Sequence, residues 1–192
     1  LEDLAAINSV MRLMASERGA EQPLNKYARF KDSHPHAWER EMIKLGLSEE
    51  ERLMMHKYLD YEYGICATQE DLMSMVQNPL IGGFSLSWAD KLRKAIAKKK
   101  PVEFNKLTDE FFKNAREKQL SPALTDYVWN VLFVTQKGYS FNLSHTLSYS
   151  MIGLQEMNLA FNYPILFWNC ANIIVDSMAT DLITEDEDEI GY

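Results

Sequence analysis

Proline, glycine and capping residues cut this chain into pieces of helix length, and strand-like alternation is hard to find within any of them. Ser48-Glu49-Glu50-Glu51 forms a capping box, in which the serine accepts from an exposed backbone N–H and Glu51 reaches back. Leu53, Met54, Tyr58 and Leu59 follow at helical spacing, and Gly64 offers a stop. Thr68 and Asp71 repeat the start signal before Leu72, Met73 and Val76. Asn78-Pro79 ends that helix, because the residue before proline is pushed out of the helical region. Ser87 is expected to cap a helix through Ala97, which Lys100-Pro101 should end. Another is expected over 102–118, with Phe104, Leu107, Phe111, Phe112 and Ala115 on one side. Ser121-Pro122 places proline in the first turn after a cap, and that helix should run through Tyr127, Val131 and Val134 to near Gly138. A long helix over 144–161 and an apolar one over 165–178 follow, separated by Tyr163-Pro164. The polar stretch 17–31, with Gly19 and Pro23, reads as an irregular connection. The fold class is all-α, with a helical domain over 1–178 and an acidic linker, or the start of a next domain, over 179–192.

At 192 residues and 46% hydrophobic, the chain has enough apolar material for one sizeable core or two small ones. No apolar run approaches the roughly 20 residues that span a bilayer, so no membrane partner is expected. The start, Leu1-Glu2-Asp3-Leu4, has no methionine and no signal pattern, and reads as a piece of a longer chain. Cys66 and Cys170 lie far apart in apolar helical settings, which reads as two reduced, packed thiols in a cytoplasmic protein.

The net charge of −8 hides an asymmetry. Residues 181–189 carry six acidic side chains and no basic one, whereas 91–137 hold eleven Lys/Arg against five Asp/Glu. A local field rather than the net charge steers a polyanion. On a helix, Lys91, Lys94 and Lys98 share one stripe while Leu92 and Ile96 share another, so the basic groups face outward and phosphate suits them. The bland alternative is a solvated basic face. In the segment 138–145, Gly-Tyr-Ser-Phe-Asn-Leu-Ser-His, a glycine ends one helix and His145 falls in the first turn of the next. Exposed N–H groups favour anions there; the alternative is that Ser144 is simply an N-cap and His145 a surface residue. His34-Pro35-His36, with His56 nearby in sequence, lacks metal-site spacing and reads as a surface turn. Lys98-Lys99-Lys100 lacks the glycines of a phosphate-binding loop, and Gly82-Gly83 is a turn. No catalytic constellation and no metal-ligand set is indicated by spacing.

Three segments, in order, resemble one family. Tyr63-Gly64-Ile65 followed by Gln69-Glu70 is similar to its tyrosine-glycine-isoleucine segment leading into a glutamine-glutamate helix. Ala89-Asp90, Leu92-Arg93-Lys94-Ala95 and Lys98-Lys99-Lys100-Pro101 resemble its basic fingers helix. Gly138-Tyr139, Phe141-Asn142, Ser144-His145 and Tyr149, with Gln155 and Tyr163-Pro164, resemble its most characteristic stretch. The family is the bacterial DNA polymerase III alpha subunit, closer to its DnaE-type branch, and the resemblance covers roughly 1–178, including the opening with Arg12.

The resemblance implies a multi-helix fingers domain of a C-family DNA polymerase, a nucleotidyltransferase of DNA replication that uses template-primer DNA and dNTP. It implies that the catalytic aspartates and the Mg2+ they hold lie in a palm outside this segment, which should be inactive alone. Arg93, Lys94 and Lys98 would hold the incoming nucleotide's phosphates. Tyr139, Asn142, Ser144 and His145 would shape the nucleotide pocket. Lys99, Lys100 and Arg12 would touch the DNA backbone. A sliding clamp and other replisome proteins would be partners of the parent chain.

The sequence also departs from the family pattern. Lys94 replaces a second arginine, Ala97 a glycine and Leu143 a lysine. Leu13-Met14-Ala15-Ser16 lacks the usual proline-glycine turn, and 31–59 diverges. These departures fit a divergent, phage-encoded member. They also keep open an alternative, a helical nucleic-acid-binding or protein-interaction module that retains the fold without polymerase activity.

Overall fold

A computed structural model describes residues 1–13, 20–98, 100–136 and 141–188, with 179–188 as backbone alone. Lys99 and Tyr139, both singled out above, lie outside the described residues. Ten α-helices account for most of what is described, and no strand occurs there, as the sequence leads one to expect. They are α1 (Glu2–Val10), α2 (Pro23–Asp32), α3 (His36–Lys44), α4 (Glu49–Leu59), α5 (Gln69–Gln77), α6 (Leu86–Ala97), α7 (Pro101–Glu117), α8 (Pro122–Asp126), α9 (Leu143–Asn162) and α10 (Pro164–Asp188). No helix among the described residues is long and apolar enough to cross a membrane.

The chain divides into two units, Leu1–Ser148 and Tyr149–Tyr192. In the first, α1 packs on α2, α2 on α3, α4 on α5, α5 on α6, α6 on α7 and α7 on α8. One continuous core runs through them and includes Phe30, Trp38, Met55, Leu72, Leu92, Phe111, Trp129 and Phe133. The ring of Trp129 stacks on Phe111 at 4.5 Å, and the indole of Trp38 donates to the hydroxyl of Tyr127 at 2.9 Å. The second unit holds the rest of α9 and all of α10, and its large apolar side chains Phe161, Ile165 and Trp168 are exposed. Helix α10 continues beyond residue 178 through much of the acidic run.

Local chemistry sets most helix starts. Ser48 and Glu51 form the reciprocal box, with Ser48 N–H donating to Glu51 at 2.7 Å and Glu51 N–H donating to Ser48 Oγ at 3.3 Å. Thr68 and Asp71 do the same for α5. At α6 the cap is Ser85 rather than Ser87: Trp88 N–H donates to Ser85 Oγ. The Trp88 ring stacks on Phe84 and its indole N–H donates to Glu110, which fixes the start two residues earlier. At α9 the cap is Asn142 rather than Ser144, because Asn142 Oδ1 accepts from both His145 N–H and the Ser144 hydroxyl.

Three further expectations give way to tertiary packing. The stretch 23–31 is helical, since Pro23 suits a first turn and Tyr27 and Phe30 bury themselves. The helix after Ser121-Pro122 stays α-helical only to Asp126. A π-helical turn over Tyr127–Phe133 then widens the winding, and Tyr127, Val128, Trp129, Leu132 and Phe133 are all buried there. Of the two free cysteines only Cys66 is packed, whereas Cys170 is exposed.

Gly64 is a tight point in the first unit. Its φ is +84°, and a Cβ there would sit 2.5 Å from the buried ring of Trp38. The glycine of the tyrosine-glycine-isoleucine motif is thus required by its backbone and by its neighbour. Gly64→Ala is expected to cost about 2–4 kcal/mol. A fall in melting temperature of roughly 5–15 °C, read by circular dichroism, would register it; an unchanged melting curve would contradict the close approach.

Candidate functional site

The first turn of α5 is the meeting point of the motif residues. Gln69 N–H donates to the carbonyl of Phe141 at 2.8 Å, and Thr68 and Phe141 form an isolated parallel bridge. The Gln69 side-chain oxygen accepts from Arg93 Nη1 at 2.9 Å, which ties α6 to the same turn. Glu70 spans the other way. Its Oε1 accepts from Asn142 Nδ2 at 2.8 Å and its Oε2 from Leu143 N–H at 2.9 Å. A carboxylate thereby sits at the positive end of α9. Arg93 on α6 and Asn142, Ser144 and His145 at the start of α9 are in this way held by two consecutive residues.

The basic side chains differ in their surroundings. Arg93 Nε and Nη2 donate to Asp90 Oδ1 at 3.0 and 2.6 Å, and Lys94 Nζ pairs with Asp90 Oδ2 at 2.6 Å. Lys94, then Arg93, holds the Asp90 carboxyl below its usual range. Lys98 is exposed at the end of α6, with no ion-pair partner among the described residues. Lys100 pairs with Glu103 at 3.1 Å. The Arg12 guanidinium lies 5.8 Å from the ring centre of Phe141, and the His145 ring stacks on Phe141 at 5.4 Å. Thr146 Oγ1 donates to the carbonyl of Ala5, so α1 joins the start of α9. Arg12, Arg93, Lys94, Asn142, Ser144 and His145 therefore gather around α5 and α6, with Lys98 and Lys100 following along the α6–α7 junction.

Sequence reasoning missed the residues that do the joining. Gln69, Glu70, Asp90 and Phe141 counted as motif letters, and only the structure gives them work. It also missed a buried acidic pair beneath α5. Glu62 and Asp71 face each other closely, and both are nearly inaccessible. Glu62 accepts from Ala67 N–H at 3.0 Å, while Asp71 accepts from Thr68 Oγ1 at 2.5 Å and from the hydroxyl of Tyr61. Burial, and then the nearby Asp71 charge, pushes the Glu62 carboxyl well above the usual range. Burial also raises Asp71, against the hydrogen bonds from Thr68 and Tyr61. Two carboxylates this close cannot both ionise cheaply, so Glu62 keeps the proton and donates it toward Asp71.

A folded-state pKa above the unfolded one means that this stabilisation is full below the unfolded carboxyl range. It is lost as pH rises through the raised value. Glu62→Gln keeps a neutral donor and an acceptor for Ala67 N–H. As pH rises above the ordinary carboxyl range, the variant should lose less stability than the wild type in urea unfolding. Parallel pH profiles for the two would refute the shared proton.

Residues 1–119 match the family described as bacterial DNA polymerase III alpha subunit finger domain. Over 186 residues, 97% of this chain, it is 44% identical to a probable DNA polymerase, YorL, of Bacillus subtilis (strain 168). It has the same identity over the same length to a DNA-directed DNA polymerase of Bacillus phage SPbeta, in keeping with the phage-like divergence of the sequence. It is 38% identical over 113 residues, 59% of this chain and 9% of the relative, to the DNA polymerase III subunit alpha of Campylobacter jejuni. The chain spans 14% of the length of each of the first two relatives.

Proposed function

This chain belongs to the bacterial DNA polymerase III alpha subunit finger domain family, and on that premise we propose that it serves a DNA-directed DNA polymerase by binding the incoming dNTP and the template-primer. The observation that carries this reading is the joining of Arg93 and the Asn142–His145 segment through Gln69 and Glu70. The basic groups of α6 and the start of α9 then belong to one surface. Arg93, Lys94 and Lys98 are assigned to the triphosphate. Asp90 keeps Arg93 and Lys94 aimed until a phosphate takes its place. Asn142, Ser144 and His145 border the pocket, with Tyr139 assigned to it by family resemblance. Arg12, Lys99 and Lys100 are assigned to DNA phosphates.

Nucleotidyl transfer by two Mg2+ ions needs open carboxylates at the reacting phosphate. The carboxylates near this surface do not fit that role. Asp90 is engaged by two cations, Glu70 by the start of α9, and Glu62 and Asp71 are buried. The metal-holding aspartates are therefore assigned to the parent chain outside this segment, along with contacts to a sliding clamp and replisome in the cytoplasm. This segment alone is proposed to be inactive, and its division at residue 178 remains part of the same proposal.

The test is primer extension by the full-length polymerase carrying Arg93→Ala or His145→Ala. Loss of one charge-assisted phosphate contact should lower kcat/KM for dNTP by about tenfold to a hundredfold. Unchanged kinetics in both variants, with the helical circular dichroism intact, would overturn the assignment and favour a binding module that retains only the fold.

A further inference from the structure

Away from the α5–α6–α9 surface, side chains from four places in the chain converge on one point. His34 lies between α2 and α3, Glu39 on α3, His56 on α4, and Asp60 just beyond the end of α4. Asp60 Oδ1 is 3.0 Å from His34 Nε2 and 2.7 Å from His56 Nδ1. The donor atoms of His34, His56 and Asp60 all lie within 4.8 Å of one another. We propose that His34, His56 and Asp60 form a binding site for a divalent transition-metal ion, with Glu39 orienting His56 from behind.

The chemistry of the donor set supports this. Two imidazoles and one carboxylate suit Zn2+ and its neighbours in the series, and a fourth position is left for water. Tetrahedral bonds of about 2.0–2.1 Å place donor atoms roughly 3.4 Å apart. The two distances from Asp60 to the imidazoles need only open slightly, with a metal replacing the protons that Asp60 now accepts. Access is available, because the Asp60 side chain is 54% exposed and those of His34 and His56 are 28% and 17% exposed.

The surroundings supply an independent argument. A metal-bound histidine usually donates its other ring N–H to a carboxylate. Here His56 Nε2 lies 2.7 Å from Glu39 Oε1, and Glu39 Oε2 accepts from Arg52 Nε at 2.7 Å. The buried ring of Trp38 lies 4.4 Å from that of His56, and Tyr63 meets His34 edge-on at 5.3 Å. Both imidazoles are thus held in place before any ion arrives. His56 and Asp60 sit at i and i+4 on one helical face, but His34 comes from 26 positions before Asp60. That distance is why sequence spacing around His34 and His36 shows only a surface turn.

Such an ion would clip the α2–α3 connection to the end of α4, and it has no part in nucleotidyl transfer. The test is calorimetric titration of the chelator-treated chain with Zn2+ near neutral pH. One Zn2+ per chain is expected. His34→Ala and His56→Ala should each abolish saturable binding, and Glu39→Gln should weaken it by about tenfold to a hundredfold. His36→Ala, on the exposed neighbour, should leave it unchanged. Absence of saturable binding, or binding that survives the two histidine variants or follows His36, would overturn the site. Should those variants lose their helical circular dichroism, Co2+ added to the wild type decides instead. Intense tetrahedral absorption bands support the site, and weak octahedral bands refute it.

Discussion

The first turn of α5 has backbone N–H groups that no helix can satisfy internally, and the way they are satisfied decides where three other segments lie. Thr68 and Asp71 cap each other, which fixes the helix start. That leaves Gln69 N–H to reach the Phe141 carbonyl, and frees the Gln69 and Glu70 side chains for Arg93 and for the start of α9. The cap itself depends on a buried acid. Asp71 holds Thr68 through both its backbone and its hydroxyl, and it remains a strong acceptor because Glu62 carries the proton. Gln136 closes the back by donating to the carbonyls of Cys66 and Thr68. Its own side-chain oxygen is buried there without a partner among the described residues, so the network is not fully matched.

The parts legible in the sequence were those fixed by local chemistry. Ser48-Glu51 and Thr68-Asp71 carry their own start instructions, and proline at 79, 101, 122 and 164 sets boundaries that packing did not move far. Ser87 and Ser144 failed as caps because a serine near a helix start is common, whereas its neighbours decide which one is used. At α6 the stacking of Trp88 on Phe84 decides it, and at α9 the side chain of Asn142 does. The π-helical turn at Tyr127–Phe133 had no local signal at all. It follows from burying Tyr127, Trp129 and Phe133 on a shared core, which is a demand of the whole unit.

The candidate site was legible as motif letters and as a charge pattern, but not as geometry. Spacing placed Lys94 and Lys98 on one stripe and set Leu92 and Ile96 inward, and the latter two are buried. It could not pair Arg93 with Gln69 or Asn142 with Glu70, since those contacts join residues 24 and 72 positions apart. Long-range hydrogen bonds leave no periodic trace in a sequence. The resemblance supplied what spacing lacked, because it put all three segments on one list of related positions before any of them were seen together.

A phosphate-binding surface on an acidic chain needs cations that its own carboxylates do not neutralise. No lysine or arginine follows Lys137 in this chain, so its permanently charged basic side chains all lie at or before that position. Within that region Asp90 occupies Arg93 and Lys94 together. A surface pair of this kind contributes little stability, so it is readily exchanged. Its geometric effect is larger: Arg93 is fixed between Asp90 and Gln69 with its guanidinium already oriented, and a bidentate anion meets a group that has little freedom left to lose. Lys98, exposed one turn beyond Lys94, has no such restraint among the described residues and supplies charge without direction. The proposed phosphate contacts would therefore combine two cations held by Asp90, Arg93 and Lys94, with the looser Lys98. On that reading the carboxylate of Asp90 would stand where the phosphate comes to sit.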